Sequence, residues 1–169
     1  MKEVRNRSIA LCAVILCCGP QLNAQRRSSV LLYYVDAYAD HYGVSRALVH
    51  AIISQESNWN PWATSNKGAA GIMQLMPETA LAYGVHDRYA LTENLSGGVQ
   101  YLADLLNQFH GDVRLAVAAY YCGPRHIEQS GLSYRNSAVV AYVEAVRRRY
   151  QRELLRLERQ NAPSPAGGQ

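Results

Sequence analysis

The chain has 169 residues, enough for one globular domain with a buried core, and 49% of them are hydrophobic. With only 18% charged residues, this composition excludes an intrinsically disordered protein. The formal net charge is +4, and it falls to +2 without residues 1–24, which hold three basic residues and one acidic residue. So mild a charge predicts no nucleic-acid partner.

The first 24 residues have the pattern of a secretory signal peptide. Three basic residues among the first seven precede an apolar run at residues 9–18, and residues 22–24 (Leu-Asn-Ala) resemble a cleavage site. The run is too short to cross a bilayer comfortably. We therefore predict that residues 1–24 are a signal peptide, that the protein is periplasmic or otherwise exported, and that no stable membrane span remains after cleavage. An uncleaved N-terminal anchor is the alternative.

Helical periodicity recurs along the rest of the chain, and no strand-period alternation of useful length is present. The pattern predicts an all-α fold, with a single domain over residues 25–157, an unusually long loop over residues 58–70 and a disordered tail over residues 158–169. The predicted helices run from Val30 to Tyr42, from a cap at Ser45 to about Glu56, from Pro77 to Gly84, through Leu95 and Phe109 to Gly111, from a cap at Asp112 to Cys122, and from a cap at Ser137 to about Leu157; a short turn is predicted at residues 71–76.

Glu56 raises the functional question. Leu48, Val49 and Ile52 precede it by eight, seven and four residues, so all four share one face of the second helix, and that face should point inward. Burial raises the pKa of a carboxyl group, and a carboxyl that stays protonated can give its proton to a leaving oxygen. The alternative is a glutamate at a helix end that is half exposed or paired with an arginine.

The sequence contains no comparable pattern for a metal site or a cofactor site. None of the five histidines is spaced as a metal pair, and no phosphate-binding glycine motif follows a strand, so we predict neither a metal nor an organic cofactor. Gly68, Gly71, Gly97 and Gly98 are interpreted as turn or close-packing positions. Cys122 is the only cysteine after residue 24, which favours a buried thiol over a disulfide with another chain.

An ordered set of short motifs over about residues 30–150 closely resembles the soluble lytic transglycosylase family, the lysozyme-like domains that cleave bacterial murein. The set includes Tyr42-Gly43-Val44, Gln55-Glu56-Ser57, residues 68–80 (GAAGIMQLMPETA), Ala118-Ala119-Tyr120, Gly123-Pro124 and Tyr142-Val143. The resemblance implies a lysozyme-like domain with an active-site cleft.

The resemblance also implies roles for individual residues. Glu56 matches the single catalytic acid and base, and Ser57 the residue that supports it by hydrogen bonding. The substrate-binding positions that it implies are Gly71, Met73 and Gln74 along the sugar cleft, Tyr120 in the Ala-Tyr-Asn-Ala-Gly motif, and Tyr142 near the glutamate. Tyr121 stands where the family has asparagine, so its role toward the sugar is open. Cys122 replaces an alanine, and Ala138-Val139 replace Glu-Thr.

The implied activity is cleavage of the MurNAc-β-1,4-GlcNAc bond of peptidoglycan strands, leaving 1,6-anhydro-MurNAc ends. Small exported members of the family open the wall locally for secretion, conjugation or pilus systems, whose components are therefore expected partners. Two alternatives stay open: a lysozyme-type hydrolase with a second carboxylate among Glu78, Asp87, Glu93, Asp104 and Asp112, and a murein-binding module without activity.

Overall fold

The computed structural model describes residues 29–133 and 136–161 of the chain. The chain divides into two compact units, Met1–Tyr34 and Val35–Gln169. Of the first unit only residues 29–34 are described, and they form the first turns of helix α1, which spans residues 29–41. The predicted signal peptide lies outside the described residues. Within the described ranges, no helix combines the length and apolarity needed to cross a membrane.

The described part of the second unit is built from helices. Its only extended pairing consists of two isolated bridges, Thr64 with Ala70 and Ala70 with Leu75, inside the long loop after α2. The prediction of an all-α fold is confirmed. The helices after α1 are α2 (Arg46–Glu56), α3 (Pro77–Ala82), α4 (Leu91–Gln108), α5 (Val113–Cys122), α6 (Pro124–Ser130), a 3₁₀ turn (Gly131–Ser133) and α7 (Ser137–Asn161).

The core forms because each helix turns its apolar stripe toward a neighbour. Helix α2 packs on α7, and α5 packs on α4, α6 and α7, while α3 lies against α4. The buried side chains of α2 occupy seven consecutive positions, from Ala47 to Ile53, so its middle is enclosed on all sides. A second buried cluster joins the ends of α4, α5, α6 and α7, and contains Leu105, Ala116, Ala118, Ala119, Ile127 and Val139.

One of the three predicted helix caps, Ser137, differs from the structure. Asp112 caps α5 as predicted, because its carboxylate accepts from the backbone N–H groups of Arg114 and Leu115. Ser45 is the N-cap residue of α2, as predicted, although its side chain makes no capping hydrogen bond. The cap of α7 is Asn136, whose Oδ1 accepts from the N–H groups of the residues two and three positions later, so Ser137 is already helical.

Two boundaries also differ. Helix α6 was not predicted, since Gly123-Pro124 reads as the end of a helix; here the proline occupies the first turn of a new one, where its missing N–H costs nothing. Helix α7 ends at Asn161 rather than near Leu157. Residues 158–161 are therefore helical, and the tail predicted from residue 158 is wrong for these four positions; residues 162–169 lie outside the described ranges.

A polar cluster around the buried His50 joins α7 to α2 and α1. His50 of α2 is 1% exposed, and its Nε2 lies 2.6 Å from Oδ1 of Asp36 in α1. Arg156 of α7 donates from Nη2 to Nδ1 of His50 over 3.1 Å, and pairs with Glu153 at 2.7 Å. Glu153 Oε2 lies 3.5 Å from the same Nδ1, so both ring nitrogens of His50 have polar neighbours. This cluster fastens the end of α7 to α2, so Arg156 departs from the solvated arginine face that the sequence predicts.

Candidate active site

The Glu56 carboxyl lies at the end of α2, where the helix meets α7. Tyr142 of α7 donates its phenolic O–H to Oε1 of Glu56. Burial raises the pKa of Glu56 from its ordinary value of 4.5 to about 7, and the hydrogen bond from Tyr142 opposes that rise. Since Oε1 accepts from Tyr142, the proton of the neutral acid belongs on Oε2. The carboxyl can therefore hold a proton near neutral pH and give it up.

A cavity of about 670 Å³ opens beside this carboxyl. Its walls come from four places: the end of α2, the loop that follows, the end of α5 and the start of α7. Among the described residues that line it, Glu56 is the only carboxylate. The lining consists of Glu56, Ser65, Asn66, Lys67, Ala69, Gln74, Met76, Tyr120, Tyr121, Cys122, Asn136, Ala138 and Val139.

Three of the candidates for a second catalytic carboxylate make structural contacts away from the cavity. Glu93 accepts from the backbone N–H groups of His86 and Asp87, and those hydrogen bonds lower its pKa. Asp112 caps α5, and Asp104 accepts from the hydroxyl of Tyr83. None of them lines the cavity. Glu93, Asp112 and Asp104 therefore stabilise a turn, a helix start and a surface contact, respectively.

The loop after Glu56 is folded onto the end of α2 by side chains that bind backbone. Ser57 donates from Oγ to the carbonyl of Ile72 over 2.7 Å, and no hydrogen bond among the described residues joins Ser57 to Glu56. Gln74 donates from Nε2 to the carbonyls of Ala63 and Gly71, at 2.9 and 2.8 Å. These bonds hold the 71–74 turn directly behind the catalytic candidate.

Gly71 makes this close approach possible. Its φ is +83°, and a Cβ there would lie 2.1 Å from the carbonyl oxygen of Arg88 and from Nδ2 of Asn94. Any other residue would clash and would be strained in this backbone conformation. The interpretation of Gly71 as a turn and close-packing position agrees with this geometry.

Asn94 connects the loop to α4. It is 1% exposed, and its side chain bonds to backbone groups of the long loop and of the segment between α3 and α4. Oδ1 accepts from the N–H of Met73 at 2.8 Å, while Nδ2 donates to the carbonyls of Ala70 and Arg88 at 3.0 and 2.8 Å. One side chain thus supplies the hydrogen-bond partners of three backbone groups that lie largely away from solvent.

Replacing Asn94 with Ala is expected to destabilise the fold by about 3 kcal/mol or more, because three backbone groups lose their partner. Urea unfolding followed by circular dichroism measures the change. Asn107→Ala is the matched control, since Asn107 is exposed on the same helix and should change stability by less than about 0.5 kcal/mol. Equal stability of the two variants would show that the Asn94 bonds do not hold the loop.

Three tyrosines lie at or directly behind the part of the cavity wall that α5 and α7 form. Tyr121 stacks on Tyr142 with ring centroids 4.4 Å apart and an interplanar angle of 21°. Tyr121 is 45% exposed and faces the cavity, while Tyr142 is only 7% exposed and lies behind it, against Glu56. Tyr120 donates its hydroxyl to the carbonyl of Met73 at 2.8 Å, which joins α5 to the 71–74 turn. The pKa of Tyr142 rises well above its ordinary value because the ring is buried, next to Glu56.

The predicted site residues thus fall into two groups. Four line the cavity, namely Glu56, Gln74, Tyr120 and Tyr121. The other four (Ser57, Gly71, Met73 and Tyr142) stand behind its surface. In this structure Gly71 and Met73 are buried behind the cavity surface, and Ser57 binds the 71–74 turn. Their predicted roles toward the substrate and Glu56 stay predictions.

Cys122 and Lys67 also line the cavity. Cys122 is a free thiol of intermediate exposure, so the prediction of a buried side chain holds only in part, and its partial burial raises the pKa of the thiol. Lys67 and Asn94 were missed as functional positions. In the sequence, only the position of Lys67 directly before the motif at residues 68–80 could have drawn attention to it. Among the described residues, no three His, Cys, Asp or Glu side chains come together where they could hold a metal ion.

The all-helical fold and the buried carboxyl beside its cleft are those of the lysozyme-like class of domains. The chain belongs to the Transglycosylase SLT domain family, whose profile matches residues 33–142. The resemblance seen in the sequence is thereby confirmed.

Curated relatives are similar over the same region. A transglycosylase of Enterobacteria phage PRD1 is 40% identical over 89 residues, which cover 53% of this chain and 33% of the phage protein. The membrane-bound lytic murein transglycosylase F of Desulfosudis oleivorans is 36% identical over 102 residues, covering 57% of this chain and 22% of that protein. The chain thus spans about a third or less of the length of these relatives.

Solved structures share the fold. An inactive glutamate-to-glutamine mutant of the lytic transglycosylase Slt from Pseudomonas aeruginosa matches with a TM-score of 0.65 and 27% identity, over 79% of this chain and 25% of that one. The 70 kDa soluble lytic transglycosylase of Escherichia coli matches with a TM-score of 0.67 and 25% identity, over 73% of this chain and 24% of that one.

Proposed function

We propose that this protein is a peptidoglycan lytic transglycosylase that cleaves the MurNAc-β-1,4-GlcNAc bond and leaves 1,6-anhydro-MurNAc ends. One observation carries the proposal: Glu56, with a pKa raised to about 7 by burial, is the only carboxylate among the described residues that line the cavity. A protonated acid is thus available without a second carboxylate. Hydrolysis by the usual pair of carboxylates needs both.

In the first step, Glu56 gives the proton on Oε2 to the glycosidic oxygen, and the bond from that oxygen to C1 of MurNAc breaks. The GlcNAc side leaves as an alcohol. The positive charge that develops at C1 is stabilised by the carbonyl oxygen of the sugar's own N-acetyl group. Glu56 is now a carboxylate, and the O–H of Tyr142 stabilises its charge, consistent with the pKa-lowering effect of that hydrogen bond.

In the second step, the carboxylate takes the proton of the C6 hydroxyl of the same MurNAc ring. Its oxygen forms a bond to C1 and closes the 1,6-anhydro ring, which restores the protonated Glu56. No water is consumed. Because the attacking hydroxyl belongs to the ring that it attacks, the step has the large proximity advantage of intramolecular reactions.

The other site residues have roles in binding and positioning. Tyr121, half exposed and stacked on Tyr142, offers a ring face for a sugar, and Gln74 also lines the cavity. Tyr120 and Ser57 hold the 71–74 turn, and Tyr142 orients the acid. The family's asparagine is absent at Tyr121, so a phenolic hydroxyl takes the place of an amide near the substrate.

The place of action follows from the substrate. Peptidoglycan lies outside the inner membrane, so the protein is exported, in agreement with the signal-peptide pattern of residues 1–24. We further propose that its partner is a secretion, conjugation or pilus apparatus that must cross the wall. This assignment rests on analogy with small members of the family.

Digestion of purified peptidoglycan, read by mass spectrometry, tests the proposal. We expect products that end in 1,6-anhydro-MurNAc, about 18 Da lighter than hydrated ends because no water is added. Reducing ends would instead establish a hydrolase and require a second carboxylate. Retention of the protein on peptidoglycan without any product would identify a binding module.

A further inference from the structure

A single cation lies among the described residues that line the cavity. Apart from Glu56, the one charged side chain of that lining is Lys67. It belongs to the loop after α2 and is exposed, so its ammonium group can reach a ligand without being desolvated first. Nothing in the proposed cleavage chemistry uses it.

The backbone that carries Lys67 is a fixed tight turn. Oγ of Ser65 accepts from the N–H of Lys67 at 3.3 Å and from the N–H of Ala69 at 3.0 Å. Ser65 and Ala69 also pair through backbone at 2.9 Å, and Gly68 donates to the carbonyl of Ser65 at 3.0 Å. Arg88 also stabilises the turn, because its Nη1 donates to the carbonyl of Gly68 at 2.5 Å. The position of Lys67 on the cavity rim is therefore set by the fold.

The charge of Lys67 is not used within the described part of the protein. No carboxylate of the described residues forms an ion pair with it. Burial raises the pKa of Glu56 and the hydrogen bond from Tyr142 lowers it, and Lys67 is not among the causes of the shift. The ammonium group is therefore available to a ligand that enters the cleft.

The chemistry of peptidoglycan identifies that ligand. The alternating sugars of the strand are uncharged, and the lactyl group of MurNAc is consumed in an amide bond to the stem peptide. Carboxylates occur further along the stem peptide, which projects from the very sugar that Glu56 would attack. We propose that Lys67 binds a stem-peptide carboxylate, so that the cleft selects glycan strands whose peptides carry free carboxylates. This inference rests on the proposed function.

Binding measurements test the inference apart from cleavage. The probes are soluble glycan strands with intact stem peptides and the same strands after their carboxylates are converted to carboxamides with carbodiimide and ammonia. All variants carry Glu56→Gln, so the strands are not consumed. We expect this protein to bind native strands about tenfold more tightly than amidated ones, the amount typical of one charge-assisted contact.

Adding Lys67→Gln should remove that preference and leave the affinity for amidated strands unchanged, while Lys67→Arg should keep most of it. Arg148→Gln is the matched control, because it removes one exposed positive charge from α7, outside the cavity, and should change neither affinity. The preference should also shrink as salt is raised. Equal affinity for both strands before Lys67 is changed, a loss on both strands after it is changed, or no binding at all would overturn the inference. Selective binding with no cleavage by the unmodified protein would instead refute the proposed function alone.

Discussion

Glu56→Gln is expected to lower the rate of peptidoglycan cleavage by about a thousandfold, because one side chain supplies the proton in the first step and removes one in the second. A glutamine has the same shape and can still accept the Tyr142 hydrogen bond, but it can do neither proton transfer. Release of anhydro products from purified peptidoglycan, followed over time, gives the rate. More than a few per cent of the original activity in a clean preparation would remove Glu56 from its assigned role.

The matched control is Glu78→Gln. Glu78 is exposed in the first turn of α3 and does not line the cavity, so the same substitution there should leave the rate within a factor of two. A similar loss in both variants would point to a general effect of lost charge. Loss at Glu56 alone would locate the chemistry at the end of α2.

Glu56→Gln should lower activity but raise the stability of the fold. The folded state holds the Glu56 proton up to a pH of about 7, whereas the unfolded chain releases it near 4.5. Between these values the folded state binds more protons, so the stability of the natural protein falls as pH rises. Glutamine has no such dependence. Glu56→Gln should therefore match the natural protein below pH 4.5 and exceed it above pH 7, by at most roughly 3 kcal/mol.

Urea unfolding at pH 4 and pH 8 measures this difference. Activity and stability then move in opposite directions, which is typical of a group kept in an unfavourable place for its chemistry. A variant that is less stable than the natural protein at pH 8 would show that the buried carboxyl stabilises the fold.

Local patterns predicted the elements that position the acid. The i−4, i−7 and i−8 spacing of Ile52, Val49 and Leu48 relative to Glu56 already predicts its inward direction, since helical neighbours on one face are set by sequence alone. The starts of α2 and α5 follow from the cap residues Ser45 and Asp112, which are also local signals. Helix α6 was missed because Gly-Pro both ends a helix and can begin one, and only the packing of Ile127 in the core decides between them.

The long-range contacts could not be read from patterns. Tyr142 is 86 positions from Glu56, and Ser57 binds a carbonyl 15 positions away. The family resemblance predicted the first pair, but it could not predict the contact of Ser57 with the carbonyl of Ile72. A motif shows which residues recur and not which atoms they contact. Lys67 looks like any lysine in a polar turn until the fold puts that turn on the cavity rim.

Tyr142→Phe is expected to shift the alkaline limb of the pH–rate profile upward by about one pH unit. The Tyr142 hydroxyl donates to Oε1 of Glu56 and so favours the ionised carboxylate, which lowers the Glu56 pKa against the effect of burial. Without that donor the pKa rises above about 7. The acid that the first step needs then persists to higher pH, and the limb moves with it.

The maximum rate should fall about tenfold in the same variant, since the carboxylate formed in the first step loses the hydrogen bond that stabilises and orients it. Tyr150→Phe is the control, because Tyr150 lies two turns further along α7, away from the cavity, and should change neither the limb nor the maximum. The two effects separate positioning from simple damage to the fold, which would lower the rate at every pH without moving the limb. A limb that moves downward, with the fold intact by circular dichroism, would mean that Tyr142 does not hold the Glu56 carboxylate during catalysis.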